Sequence, residues 1–371
     1  MKYILAPDSF KGSLTAKQAA AAMRAGILEV DQAAEVIVLP IADGGEGTIE
    51  VLSAVMPGEM ISLNVPGPYG ESVNAKYFLS EEHVAYIELA EASGLTLVEE
   101  NEKNPMVAST YGTGLLIKDA LLRGVKALYL TLGGSATNDG GAGIAKALGI
   151  QYLNQAGEEV APTPAGLKEI SKIDIAKQLA ELQQVEIHIV CDVNNPLIGK
   201  NGASYVYGPQ KGATPKMVEQ LDTILASYGA LLEQETGKDL IEIPGAGAAG
   251  GAAMPLLAFA DTNMLSGIDM VLTAVGFDAA LLGADYVFTG EGKIDAQTAY
   301  GKAISGIHNR AQKHDVPVLV FAGKLALEEK KGEGIAYYEI GKPNASLEEN
   351  MKNAYENLKE KVKAVLEGEN A

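Results

Sequence analysis

The chain reads as α/β, with a doubly wound domain built from both chain ends and a mixed-sheet α/β domain inserted between them. Three observations predict this. Short apolar runs repeatedly end in loops of Gly, Asp, Ser or Asn before a helical pattern begins, as in βαβ units. Near residues 73–89 the pattern changes to period-two alternation about a turn, a hairpin that a pure βαβ domain does not need. From about Asp285 the βαβ order resumes. The predicted limits are 1–64 and 268–371 for the discontinuous domain and 65–267 for the insertion; 371 residues suffice for two or three domains.

In chain order, Tyr3-Ile4-Leu5-Ala6 predicts a first strand, which leads through Pro7-Asp8-Ser9-Phe10-Lys11-Gly12-Ser13 to a helix from about Thr15. Val36 to Leu39 predicts a second strand, ending in Ala42-Asp43-Gly44-Gly45-Glu46-Gly47-Thr48. Pro66-Gly67-Pro68-Tyr69-Gly70 is the expected crossing into the insertion. Val73, Ala75, Tyr77 and Leu79 alternate, Ser80 to His83 turn, and Ala85, Ile87 and Leu89 alternate again. Leu128 to Leu132 leads to Gly133-Gly134-Ser135-Ala136-Thr137-Asn138-Asp139-Gly140-Gly141. A second hairpin is expected between Gln151–Leu153 and Glu158–Val160. Ile187 to Val190 leads to Cys191-Asp192-Val193-Asn194-Asn195-Pro196, and the return crossing is expected near Gly267. Tyr286 to Phe288 predicts a strand before a loop at Thr289–Asp295, and Val318 to Phe321 a strand before Ala322-Gly323-Lys324. A helix charged on one face closes the chain near Leu347–Leu366. Ligands of parallel sheets bind at the strands' carboxyl ends, so a site is expected in these loops.

Composition removes several classes. Asp plus Glu outnumber Lys plus Arg by 48 to 29, a net charge of −19. Such a chain lacks the basic face of a general nucleic-acid binder and is repelled by anionic membranes. One cysteine, Cys191, allows no internal disulfide or thiolate cluster, and four scattered histidines make no zinc motif. No apolar run reaches the ~18 residues of a membrane span. The expectation is a soluble cytoplasmic protein.

Each motif has a functional reading and a purely structural one. None of the six Gly-Lys pairs is followed by Ser or Thr, so there is no Walker A loop. Gly133-Gly134-Ser135-Ala136-Thr137 lacks the last Gly of a nucleophile elbow. Gly245-Ala246-Gly247-Ala248-Ala249-Gly250 fits a dinucleotide fingerprint, with Asp269 about twenty residues on, but Pro244 and Pro255 interrupt its context. That loop can be a nicotinamide site, a phosphate or substrate cradle, or a tight packing turn. Asp43 and Glu46 on a glycine-rich turn into a helix can hold Mg²⁺ beside phosphate, or form a capping box. The glycines around Ser135, Thr137, Asn138 and Asp139 suggest an anion nest. Asp192, at a strand's carboxyl end, suits metal or base work, or an Asx-turn before Pro196. Lys11 and Lys211, between or beside glycines in an acidic chain, are candidate anion ligands or ordinary solvated lysines. Glu291 and Asp295 flank Lys293, a mix that suits Mg²⁺–phosphate or a cap.

Taken in order, these loops with Gly208-Pro209-Gln210-Lys211-Gly212 and Pro244 to Gly251 resemble the bacterial type I glycerate kinase family from about Tyr3 to Lys324. Lys293 stands where that family often has Arg. The resemblance implies an ATP- and Mg²⁺-dependent kinase of D-glycerate, with 2-phosphoglycerate as the favoured product. It implies a Rossmann-like domain plus an inserted α/β domain, with in-line transfer in the cleft between them. The expected catalytic residues are Lys11, Asp192 and Asp8, with Lys11 neutralising charge and Asp192 as base. Substrate or phosphate is expected on Ser9, Ser135, Asn138, Asp139, Asn194, Lys211, Gly245 and Gly247. The expected metal donors are Asp43, Glu46, Glu291 and Asp295. The partner is a small molecule, with neither nucleic acid nor membrane, and a homo-oligomer is allowed. The competing readings are a nicotinamide-dependent oxidoreductase using Gly245–Gly250 and a non-catalytic two-domain binding protein.

Overall fold

The computed structural model describes residues 1–10, 12–39, 41, 48–295, 302–326 and 331–368, with the backbone alone at 295, 302 and 331. The chain forms two compact units, 1–43 with 268–371, and 44–267. Its strands are β1 (Lys2–Leu5), β2 (Glu35–Val38), β3 (Gly58–Pro66), β4 (Ser72–Ser80), β5 (Val84–Glu88), β6 (Ala127–Thr131), β7 (Gln151–Leu153), β8 (Lys172–Asp174), β9 (Glu186–Val190), β10 (Thr262–Leu265), β11 (Tyr286–Asp295), β12 (Val318–Ala326), β13 (Lys331–Gly332) and β14 (Ile335–Glu339). Among the described residues no helix is long and apolar enough to cross a membrane.

The first unit holds a sheet in the order β13-β14-β12-β11-β1-β2, parallel except for the β13–β14 pair. Tyr3, Ile4 and Leu5 are buried because β1 lies inside the sheet, so its residues are apolar on both faces. β1 and β11 are neighbours, with Tyr3 opposite Tyr286, so the two chain ends share one sheet. The helix Ala16–Val30 starts at a capping box in which Thr15 and Gln18 satisfy each other's backbone amides. Its buried Ala19, Met23 and Ile27 pack with Leu358 and Val362 of the helix Ala354–Leu366. The terminal helix is shorter than expected, because the chain turns at Asn353 after a separate helix at Leu347–Lys352. The sequence also predicts a loop at Thr289–Asp295, but the β11–β12 ladder continues to Asp295 opposite Ala326. Gly290 permits this: a Cβ there would lie 2.1 Å from the Phe321 carbonyl oxygen.

The second unit has a mixed sheet in the order β10-β9-β6-β5-β4-β3. β5, β6, β9 and β10 are parallel, and β3–β4–β5 form an antiparallel meander. One face presents Ala85, Ile87, Leu128, Leu130, Ile187 and Ile189 to the core. On the other, Phe78, Tyr86, Tyr129 and His188 stack across four strands, with successive centroids 6.1, 5.1 and 4.4 Å apart. Two sequence expectations are corrected here. The expected crossing at Pro66–Gly70 is the turn between β3 and β4, whose nine-pair ladder from Gly58 to Pro66 keeps β3 in the second unit. Of the second hairpin, only the turn and one bridge, Leu153 to Glu159, form; β7 takes its ladder from β8 instead. Glu88, Thr131, Val190 and Leu265 lie in register, so the loops after β5, β6, β9 and β10 leave the sheet along one edge.

Candidate active site

In the first unit, the segment after β1 runs beside β11. The Asp8 amide donates to the Gly290 carbonyl at 3.0 Å, which sets Asp8 next to Glu291 across the ladder. The Asp8 carboxylate accepts the Ser9 amide at 2.5 Å. Thr289 donates its buried hydroxyl to the Ala6 carbonyl at 2.8 Å, and Phe10 is sunk in the core, pinning the segment at both ends. Asp8, Ser9 and Glu291 are all half-buried. The structure therefore places Asp8 and Ser9, in the segment after β1, alongside Glu291 of β11. Lys11, Asp43 and Glu46 lie outside the described residues, as does the side chain of Asp295.

In the second unit, the expected anion nest is filled by the chain itself. Asp139 is wholly buried, and its carboxylate accepts the Thr110 amide and hydroxyl, each at 2.8 Å, and the Gly141 and Gly143 amides, each at 3.1 Å. Burial pushes the Asp139 carboxyl above its ordinary range, and these bonds oppose that change. Lys211 is 2% exposed. Its ammonium donates to the Thr137 carbonyl at 2.6 Å and to the Ser135 hydroxyl at 3.4 Å. Burial lowers its pKa from 10.5 to about 7, against the pull of Asp139. Asn138 donates to the Ser204 hydroxyl at 3.0 Å, while its buried Oδ1 has no hydrogen-bond partner among the described residues. Ser135, Asn138, Asp139 and Lys211 are all buried at this loop and held by the chain's own groups.

After β9, Asp192 is half-buried and its Oδ1 accepts the Gly267 amide at 3.1 Å. Asn194 is exposed. The amides of Gly245 and Gly247 both donate to the Asn195 carbonyl, at 3.2 and 3.0 Å, so neither points at a ligand. A Cβ on Gly247 would lie 2.1 Å from the Pro196 carbonyl oxygen, which makes this a close-packing loop. Leu240 to Ile243 form a turn rather than a strand, and Asp269 belongs to the first unit, where Arg310 holds it at 3.3 Å. The strand–loop–helix context of a dinucleotide site is missing.

Sequence reasoning passed over two residues. Thr110 links Asp139 to the Ile144 amide through its hydroxyl. Glu88 ends β5 as a carboxylate only 3% exposed, and its Oε1 accepts the Ile49 amide at 2.9 Å. The available signal for Glu88 was an acid closing the apolar run Val84-Ala85-Tyr86-Ile87.

A model of the glycerate kinase family matches residues 3–368. The glycerate kinase of Halalkalibacterium halodurans is 47% identical over 323 residues, 87% of this chain and 85% of that protein. The glycerate 2-kinase of Escherichia coli K12 is 40% identical over 362 residues, 96% of this chain and 95% of that protein. The crystal structure of a Salmonella typhimurium LT2 protein assigned as glycerate kinase 2 matches with a TM-score of 0.88 at 41% identity, covering 99% of this chain and 98% of that one. These matches run through both compact units and every loop described above, and the chain belongs to the glycerate kinase family.

Proposed function

We infer that this chain is an ATP-dependent glycerate kinase forming phosphoglycerate. The observation that carries this is family membership over residues 3–368, together with the loops at the strands' carboxyl ends. We further read the substrate as D-glycerate, the product as 2-phosphoglycerate, the first unit as a Rossmann-like doubly wound domain, and the setting as cytoplasmic. The parallel order β14-β12-β11-β1-β2 supports the fold reading. The Gly245–Gly250 packing turn gives the oxidoreductase alternative no support.

Phosphoryl transfer depends on positioning and on charge stabilisation more than on covalent chemistry. Asp192 takes the proton of the attacking hydroxyl in this reading, and the Gly267 amide fixes one of its oxygens. Among the described residues no group of three acid, His or Cys side chains is placed to hold a metal. Mg²⁺ needs no such cage, since it usually takes one or two carboxylates plus substrate phosphates. The hard oxygen donors Asp8 and Glu291 fit that requirement, with Asp43, Glu46 and Asp295 as further candidates. When bound, Mg²⁺ supplies charge neutralisation at the phosphates. Lys11 and Ser9 engage the phosphates in the same reading. The Asp139–Lys211 network keeps the Gly133–Gly143 backbone in one shape. The test is ADP release from MgATP with D-glycerate, L-glycerate and no acceptor. ADP release that depends on D-glycerate is expected. NAD reduction without ADP release would reverse the reading.

A further inference from the structure

The sequence holds six Gly-Lys pairs, none of them in a Walker A loop. Two of these, Gly292-Lys293 and Gly323-Lys324, come together in the first unit, because the β11–β12 ladder sets Lys293 opposite Lys324. Partners in a parallel ladder lie on one face of the sheet, with their backbones about 4.8 Å apart. The next pair, Ile294 and Leu325, takes the other face, where Ile294 is wholly buried, and both lysines are exposed. Gly292 and Gly323 keep the strands close just before the lysines: a Cβ on Gly323 would lie 2.5 Å from the Gly292 carbonyl oxygen.

The lysine pair stands at the carboxyl edge of the sheet. β1 leads through the helix Ala16–Val30 to β2 on one side, and β11 leads through the helix Lys302–Gln312 to β12 on the other. The strand order therefore reverses between β1 and β11, and ligands of such sheets sit outside the carboxyl ends at that reversal. The β14 ladder stops at Glu339 opposite Ala322, and the segment after β1 meets β11 at Gly290. The β11–β12 ladder continues past both points to Lys293 and Lys324. Glu291, one of the proposed Mg²⁺ donors, lies on the same face two residues before Lys293, roughly 7 Å along the strand. Like charges directly opposite one another do not assist strand pairing, whereas a ligand with several negative charges gains from both.

We infer that Lys293 and Lys324 form a paired clamp for the terminal phosphates of MgATP. This deepens the kinase reading and rests on it. In phosphoryl transfer Mg²⁺ bridges the β- and γ-oxygens, so cations one step from its donor carboxylate meet those phosphates. In a chain of net charge −19, a triphosphate needs fixed positive charge as well as Mg²⁺. The ladder fixes the two stems side by side, and each ammonium is a point charge with three donors for phosphate oxygens. Lys324 should therefore tolerate Arg, which keeps the charge, and not Met, which keeps only the stem.

The experiment compares wild type with Lys324→Met, Lys324→Arg and the double variant Lys293→Met/Lys324→Met. It uses calorimetry with AMP, ADP and ATP in the presence of Mg²⁺, and steady-state kinetics. Lys324→Met should weaken MgATP binding by ~10-fold, and the double variant by ~10²-fold or more. AMP affinity and KM for D-glycerate should stay within about threefold of wild type, because AMP lacks the terminal phosphates and glycerate does not meet the clamp. Lys324→Arg should stay within about threefold for all three nucleotides. Both positions are exposed, so melting temperatures should hardly move; if the double variant does not fold, the two Lys324 variants decide. Equal losses for AMP and ATP would overturn the inference, since the lysines would then not act on the terminal phosphates. So would wild-type MgATP affinity in Lys324→Met, or a change confined to KM for D-glycerate. A wild-type chain that binds none of the nucleotides and phosphorylates no glycerate would overturn the kinase reading instead; in every other outcome the wild type binds MgATP and only the variants differ.

Discussion

Replacing Lys211 by Met tests the interior network through the pH dependence of stability. The folded chain holds the Lys211 ammonium in an apolar interior, lowering its pKa from 10.5 to about 7. Between those values the unfolded chain binds a proton that the folded chain has released. Stability therefore rises with pH through that window, and the full penalty is present below about pH 7. A tenfold change in proton affinity corresponds to about 1.4 kcal/mol, so the whole penalty is about 5 kcal/mol. Against this, the variant loses the ammonium's bonds to the Thr137 carbonyl and the Ser135 hydroxyl, about 1–3 kcal/mol for bonds from a charged donor. Near pH 6.5 the two effects oppose, and Lys211→Met should match or exceed wild type in stability. Towards pH 9.5 the wild type should gain about 3 kcal/mol on the variant. Burial also holds the Asp139 carboxyl above its ordinary range, and its charge attracts the Lys211 ammonium. Urea unfolding of both proteins at four pH values across this range gives the difference directly. Parallel stability curves would refute the buried-ammonium argument.

Other expectations follow from single contacts. Asp192→Asn keeps the Oδ1 acceptor for Gly267 but removes the proposed base, so kcat should fall by ~10²-fold or more with MgATP affinity retained; loss of MgATP binding in calorimetry would move Asp192 to the metal. Lys11→Ala should lower kcat/KM by ~10²-fold with little change in melting temperature; near-full activity at saturating substrate would make Lys11 an ordinary surface lysine. Gly250→Ala places a Cβ 2.3 Å from the Thr137 carbonyl oxygen at a φ of +71°, so it should destabilise the chain by about 2 kcal/mol or more, read by thermal melting.

Much of the fold is legible because local chemistry and tertiary structure agree. The strands β1, β2, β6, β9 and β12 begin as apolar runs ended by small polar residues, and β4–β5 shows its hairpin by alternation. What stays hidden depends on partners distant in sequence. The run Gly290-Glu291-Gly292-Lys293 looks like a loop, yet β12, about thirty residues later, draws it into a ladder. β7 joins β8 rather than the nearer Glu158–Val160. In the site, the glycines and hydroxyls at 133–143 are visible, but not what fills them. Asp139 supplies the acceptor from within the same loop, and Lys211 arrives from more than seventy residues away. Glu88 is hidden for the same reason, since its partner Ile49 lies 39 residues earlier.

The central claim is transfer of the ATP γ-phosphoryl group to a glycerate hydroxyl, and phosphorus NMR of the reaction mixture tests it most directly. With MgATP and D-glycerate, the β- and γ-phosphate signals of ATP should give way to those of ADP and one phosphomonoester. Without proton decoupling, that phosphomonoester should be a doublet, because phosphorus on the secondary oxygen couples to a single methine proton. A triplet would place the phosphoryl group on the primary oxygen and correct the product assignment. ATP left intact, or converted to ADP and free phosphate alone, would contradict the account.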